Sequence, residues 1–341
     1  MQQGEVSMPE LQVKNSYENL MIGIWKRLLT FFRDNMGILI GLAALVILIS
    51  LMNNDFLSAQ NLLNVLRQTS TNMFIAIGMT LVIILAGIDL SVGSIMAASG
   101  VVTGGLIAYS GVPLWLAVLA GLLIGIIFGL INGYFIAYKF LPSFIVTLAT
   151  MNIARGMAYV YTDGKPIRVM SDEFNFIGSG YLWGKIPIPV IYMIVIIVIT
   201  SLIMNRTKLG RYMYAVGGNQ EAARFSGIHT KRVQLFAFTF SGFLAAFSGI
   251  ALASRMFSGQ PTAGMGAELD AIAAVVLGGT SMTGGSGRIG GTVIGALIIG
   301  ILSNGLNLMG VNSFWQYIVK GIVILVAVYV DVSKMKSETT S

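Results

Sequence analysis

From Met36 to Asp331 the chain is a succession of apolar runs, each about 20 residues long, separated by short polar or glycine-rich connections. A run of that length matches the hydrocarbon thickness of a bilayer when coiled as a helix. The runs are too long, and alternate too little between polar and apolar, to be the strands of a membrane barrel. The pattern predicts an all-α, polytopic membrane protein of about ten transmembrane helices, at 36–52, 69–87, 92–110, 113–137, 142–162, 187–204, 233–254, 266–281, 289–309 and 314–331. Residues 61–68 can extend the second span, and the eighth is the shortest. The domain division that follows is an N-terminal segment at 1–35, a membrane domain at 36–331 and a tail at 332–341.

The charges between the runs orient the bundle. The connection 205–232 holds Arg206, Lys208, Arg211, Arg224, Lys231 and Arg232 against Glu221 as its single acid. The connection 163–186 holds Lys165, Arg168 and Lys185. Cytoplasmic loops are the richer in Lys and Arg, so 205–232 is expected inside and 163–186 outside. An even number of spans then places both termini in the cytoplasm. Lys139, Arg288, Lys334 and Lys336 fall inside as well; Arg67 and Arg255 fall outside and break the pattern. Residues 1–35 show no apolar core or small-residue cleavage site of a signal peptide. Tyr17 to Phe32 reads either as an amphipathic helix on the membrane surface or as a partly ordered tail.

Composition narrows the chemistry. Over half of the 341 residues are apolar and 10% are charged, against about a quarter charged in soluble domains. The net positive charge therefore reports orientation rather than nucleic-acid binding. With no cysteine and one histidine, His229, the chain offers neither a thiolate site nor a multi-histidine metal site. It has no G-x-x-x-x-G-K-[ST] phosphate loop, so no nucleotide cofactor is expected on this chain. The acids that an ion-coupled carrier commonly buries in mid-membrane are scarce. Asp89 is expected at the inner edge, and Glu268 and Asp270 near the outer end of the eighth span. Sodium can be held by backbone carbonyls alone, so an ion-gradient-driven secondary transporter stays open, as does a membrane enzyme.

Several polar residues within spans have two readings. Asn152 and Arg155 either line a translocation path, or Arg155 snorkels toward the outer surface or is paired internally; Lys320 is similarly placed in the last span. Asn304 and Asn307 either line the same path or hydrogen-bond between helices. Gly121, Gly125, Gly129 and Gly133 recur every fourth residue, as do Gly287, Gly291 and Gly295. Such stripes serve close helix packing within the chain, a pore or a subunit contact. LAGIDLSVG (85–93) and LGGTSMTGG (277–285) echo each other, hinting at duplicated halves.

The segment GGNQEAARFSGI (217–228) stands out from its apolar surroundings. Asn219 is a good N-cap, Glu221 suits the positive helix start and Arg224 the negative end, and Gly227 suits the residue just past it. The result is a helix of about two turns with Ala222, Phe225 and Ile228 on a small apolar face. It reads either as a connector resting on headgroups or as a knob that docks on a cytosolic partner.

This segment resembles the EAA-type cytoplasmic loop of the ATP-binding-cassette importer permeases. GMTLVIILAGIDLSVGS (78–94), QPTAGMGAELDAIAAVVLGGTS (260–281) and NGLNLMGVNSFWQYIVKGIVILVAV (304–328) resemble its monosaccharide branch, and the likeness runs from about Asn61 to Asp331. The resemblance implies a non-catalytic permease subunit of a sugar importer, multi-pass in the bacterial plasma membrane and working as a dimer with a second permease copy. It implies a cytosolic ATP-binding subunit, carrying ATP and Mg, and an external sugar-binding protein. Residues 217–228 would be the coupling helix, with Asn219, Glu221, Ala222, Ala223 and Gly227 on the motif. Arg67 and Arg255 would then offer cations for the binding protein to dock on.

Overall fold

The computed structural model describes residue 33 and residues 35–339. The proposed N-terminal helix at 17–32 lies outside them. The long helices are α1 Met36–Met52, α2 Ala59–Ile84, α3 Val92–Ser110, α4 Leu114–Lys139, α5 Ser143–Thr162, α7 Ile188–Arg206, α10 Thr230–Arg255, α12 Ile289–Leu308 and α13 Ser313–Thr339. Shorter ones are α6 Asp172–Ser179, α8 Lys208–Gly218, α9 Gln220–Phe225 and α11 Ala267–Leu277. Five helices (α3, α4, α7, α10 and α12) are long and apolar enough to cross a membrane, and α1 and 313–326 are shorter apolar stretches. The second span is one helix from Ala59, so 61–68 belongs to it, and α13 continues through the segment expected as a tail.

The eighth expected span is corrected. α11 has 11 residues and rises about 16 Å, roughly half the hydrocarbon thickness. Gly266, with φ +79°, starts it abruptly, and glycine-rich backbone follows Leu277. An apolar run of sixteen residues therefore contains a half-helix and two irregular ends.

Helix α2 sits at the centre, buried on every side from Met73 to Ile84. An all-round apolar helix in such a position is covered by protein rather than lipid. α10 packs along α4 in the opposite direction, and the first glycine stripe lies in that seam. A Cβ on Gly125 would come 2.5 Å from the Ala246 Cβ, one on Gly129 2.6 Å from the Phe238 carbonyl oxygen, and one on Gly133 2.9 Å from the Leu235 Cα. This stripe serves packing within the chain. Gly291 and Gly295 do likewise against Gly278 and Ala274, whereas Gly287 precedes the helix, at φ +156°.

Two short antiparallel pairs tie down one end of the bundle. β1 Ile167–Arg168 pairs with β4 Ser258–Gly259, and β2 Tyr181–Leu182 pairs with β3 Ile186–Pro187. α10 runs from α9 at one end to this clamp at the other, so 205–232 and 163–186 lie at opposite ends.

Asp89 is fully buried in the connection between α2 and α3. Its carboxylate accepts from the Ser91 amide (3.0 Å), the Ser91 hydroxyl (2.5 Å) and the Ser241 hydroxyl (2.9 Å). Asn132 donates to the Ser91 hydroxyl and accepts from Thr150, extending the network across α3, α4, α5 and α10. A buried charge needs such satisfaction to be tolerated. The polar letters of LAGIDLSVG bind helices together instead of facing water.

Candidate functional site

The end of the bundle bearing α8 and α9 is built from local rules. Thr207 caps α8 by accepting from the Gly210 amide, and the spacing of Met213 and Val216 buries one face of that helix. Tyr214 donates to the Gly287 carbonyl at 2.9 Å. Burial pushes its phenol above the ordinary tyrosine value, and the nearby Arg288 charge draws it partly back. The phenol therefore stays protonated and able to donate.

α8 ends in the pair Gly217–Gly218, whose two members differ sharply in environment. A Cβ on Gly217 would lie well inside van der Waals contact with the Ile84 carbonyl oxygen and 2.7 Å from the Gly285 nitrogen. A Cβ on Gly218 would meet nothing within 4 Å. The Gly285 amide itself donates to the Ile84 carbonyl at 2.9 Å. The junction of α8 and α9 is thus seated on the end of α2 and on the loop before α12, the places where the two echoing glycine-rich segments lie. Ordinary side chains would hold these backbones apart.

α9 follows at once. The Asn219 side chain accepts from the Ala222 amide at 2.9 Å, and Gly227, at φ +81°, closes the helix. Glu221 and Arg224 pair at 3.1 Å, with side chains 65% and 59% exposed, so the pair is mainly a surface feature. The expected apolar face is redistributed. Ala223 is buried and Ile228 packs on the core, while Ala222 is exposed and Phe225 is 82% exposed. The reason is the short, fixed link to α8, which turns the Ala223 side inward. Gln234 of α10 donates to Gln220 at 3.2 Å and holds α9 against the bundle. What remains outward is an aromatic ring with the Arg224 guanidinium 5.4 Å from its centre.

At the opposite end Arg67 donates to the Tyr181 hydroxyl and lies over the same ring, 4.9 Å from its centre. Arg67 and Arg255 are both half-buried and within electrostatic reach of one another. They form one cationic patch at the end of the bundle that carries the β-strand pairs.

The four polar residues considered for a path do not converge. Asn304 and Asn61 exchange reciprocal amide hydrogen bonds at 3.0 Å, both buried, which joins α12 to α2. Asn152 is exposed and donates to the Leu148 carbonyl of its own helix. Arg155 donates to the Pro261 and Ala263 carbonyls at 2.6 and 2.7 Å, holding irregular backbone that enters the bundle before α11. Asn307 lines a cavity between α11 and α13. Sequence reading missed Tyr214, Gly217 and this cavity. The Leu209, Met213 and Val216 spacing could have shown α8, but nothing local marks the close approach at Gly217.

Among the described residues no group of His, Cys, Asp or Glu could hold a metal ion. Residues 61–328 match the family described as branched-chain amino acid transport system / permease component. The chain is 46% identical to the ribose import permease protein of Haemophilus influenzae, over 94% of this chain and 97% of that one. It is 51% identical to the ribose import permease protein of Bacillus subtilis, over 88% and 94%. It is 37% identical to the xylose transport system permease protein of Haemophilus influenzae, over 87% and 96%. No solved structure matches it. With its bundle of apolar helices, the chain belongs to the family of branched-chain amino acid transport system permease components and is a polytopic membrane protein.

Proposed function

We propose that this chain is the permease subunit of an ATP-driven monosaccharide importer in the bacterial plasma membrane, with ribose as its sugar. Two copies form the path. A cytosolic ATP-binding subunit, holding ATP and Mg, docks on α9, and an external sugar-binding protein docks at the patch of Arg67 and Arg255. The identity to ribose and xylose permeases supports the substrate class.

The observation that carries the reading is the seating of Gly217 on Ile84 and Gly285, directly behind an outward Phe225. Asn219, Glu221, Ala222, Ala223 and Gly227 shape α9 as a short rigid lever. A push on its outer face reaches α2 and the loop before α12 through backbone contact, with no flexible side chain between. This is rigid-element gating, in which small displacements at one end redistribute packed helices elsewhere. A neutral sugar needs few charges along its way, and the chain supplies few.

The test is reconstitution into liposomes. Ribose uptake is expected when ATP, the ATP-binding subunit and the binding protein are all present, and no uptake when any is omitted. Gradient-driven uptake by the chain alone would replace this reading with a secondary transporter.

A further inference from the structure

The cavity between α11, the end of α12 and α13 has a volume of about 330 Å³. Asp270 and Lys320 meet in its wall at 2.7 Å, with side chains 15% and 21% exposed. Gln316 donates to Asn307 at 2.7 Å and to the Val311 carbonyl at 3.0 Å. The Tyr317 ring, 60% exposed, lies beside Gly266 at the start of α11. The cavity opens in the half of the bundle that carries the β1–β4 clamp, because α12 leaves the α8 end at Ile289 and reaches Asn307 at the far one.

Ion pairs in apolar surroundings are expensive and mark functional positions by default. This pair neutralises itself, so the cavity has no net charge to attract an ion. Its unused hydrogen-bonding capacity is mixed. Asp270 has a second carboxylate oxygen, and Gln316 Oε1 is an acceptor. Lys320 and the Asn307 amide have N–H groups to spare. Tyr317 adds an aromatic face, and Leu269 and Met265 add apolar surface. Acceptors and donors set side by side, beside a ring, match a small polyol. Each hydroxyl both donates and accepts, and the C–H face of a sugar ring lies flat on an aromatic one. A phosphate or carboxylate would find the acid already there; an ammonium would find the lysine.

We propose that this cavity is a station for one monosaccharide on its way through the permease, with Asp270, Lys320, Asn307 and Gln316 taking its hydroxyl groups and Tyr317 its ring face. The assignment deepens the sugar-import reading and rests on it. It also separates Asn307 from Asn304 and Arg155, whose hydrogen bonds join distant elements of the bundle.

The absence of cysteine makes a direct test available. Leu269→Cys places a single thiol at the cavity wall, Met265→Cys gives a second reporter, and Trp183→Cys serves as a control on the external hairpin. Full-length permease in nanodiscs is labelled with a small maleimide across a D-ribose titration. The expected result is that saturating D-ribose slows labelling at Leu269→Cys or Met265→Cys at least several-fold, leaves Trp183→Cys unchanged, and loses its effect when Gln316→Leu is added. Unchanged labelling at both wall positions, or equal protection by glycerol, overturns the station. Ribose uptake by the complete importer carrying Leu269→Cys is measured in parallel. Uptake with no protection refutes the cavity alone, whereas no uptake by the unsubstituted complex refutes the import reading beneath it.

Discussion

Gly217 and Gly218 form a matched pair for testing whether force passes through the α8–α9 junction. Replacing Gly217 by alanine puts a methyl group against the Ile84 carbonyl oxygen, 2.9 Å from its carbon and 2.7 Å from the Gly285 nitrogen. All three are backbone atoms, so no side chain can swing aside and the helix must lift. Overpacking of this kind costs about 1–3 kcal/mol. At tenfold per 1.4 kcal/mol, the seated arrangement loses about 5- to 150-fold in weight against a displaced one. Gly218→Ala meets nothing within 4 Å and replaces glycine in a helix, which is neutral or favourable by up to about 1 kcal/mol. The assay is sugar taken up per ATP hydrolysed by the reconstituted importer. Gly217→Ala is expected to keep the ATP-binding subunit bound but lower that ratio by at least about fivefold, following the lower end of the overpacking range. Gly218→Ala should match the parent. Equal ratios for the two variants would refute the idea that the lever works through this contact.

Other outcomes follow from neighbouring features. Phe225→Ala should leave thermal unfolding in detergent unchanged, since the ring is 82% exposed, while weakening binding of the ATP-binding subunit by about 2 kcal/mol if the ring is an interface anchor. A titration of that subunit against the purified permease reads it. Asn304→Leu strands the Asn61 carbonyl and should destabilise by roughly 0.6–2 kcal/mol, with Asn61→Leu added on top costing less than the two single changes summed; a double-mutant cycle in denaturant measures this. Arg155→Met releases the Pro261 and Ala263 carbonyls, at about 1.5–3 kcal/mol per charged hydrogen bond, and should speed amide exchange around 260–266 while leaving α4 protected. Uniform acceleration across the chain would instead mean general unfolding.

The span pattern was legible because hydrophobic length is a local property, written residue by residue. So were the caps of α9, since Asn219 and Gly227 act on backbone only a few positions away. The eighth run failed because its apolar letters are the same in a helix as in a buried irregular segment. What distinguishes them is the close approach of distant backbone: a Cβ on Gly278, just past the helix, would come 2.6 Å from the Gly291 carbon of α12. The burial of Asp89 was not legible either, since Ser241, which donates to it, and Asn132, which donates to Ser91, belong to distant helices. Phe225 shows the limit of periodicity on so short a helix: six residues make an apolar face, but the attachment to α8 decides which way it points. The cavity of Asp270 and Lys320 is a meeting of two helices that no single stretch of sequence announces.

The half-length of α11 bears on how the protein is made. Irregular backbone is tolerated at membrane depth only inside protein, so the stretch before α11 cannot be left facing lipid while its neighbours are still to come. The groups that receive it are Ile167 in the sheet pairing, Gly93 against Gly264, and Arg155 on the Pro261 and Ala263 carbonyls. Every one of them lies earlier in the chain and has left the ribosome before residue 260 does. The cradle exists when its occupant emerges. Within α11 itself, the contact from Lys320 to Asp270 waits for the final helix. Biosynthesis in this order lets α13 close over a segment already lodged, and a copy truncated before residue 313 should insert fully yet leave that seam open.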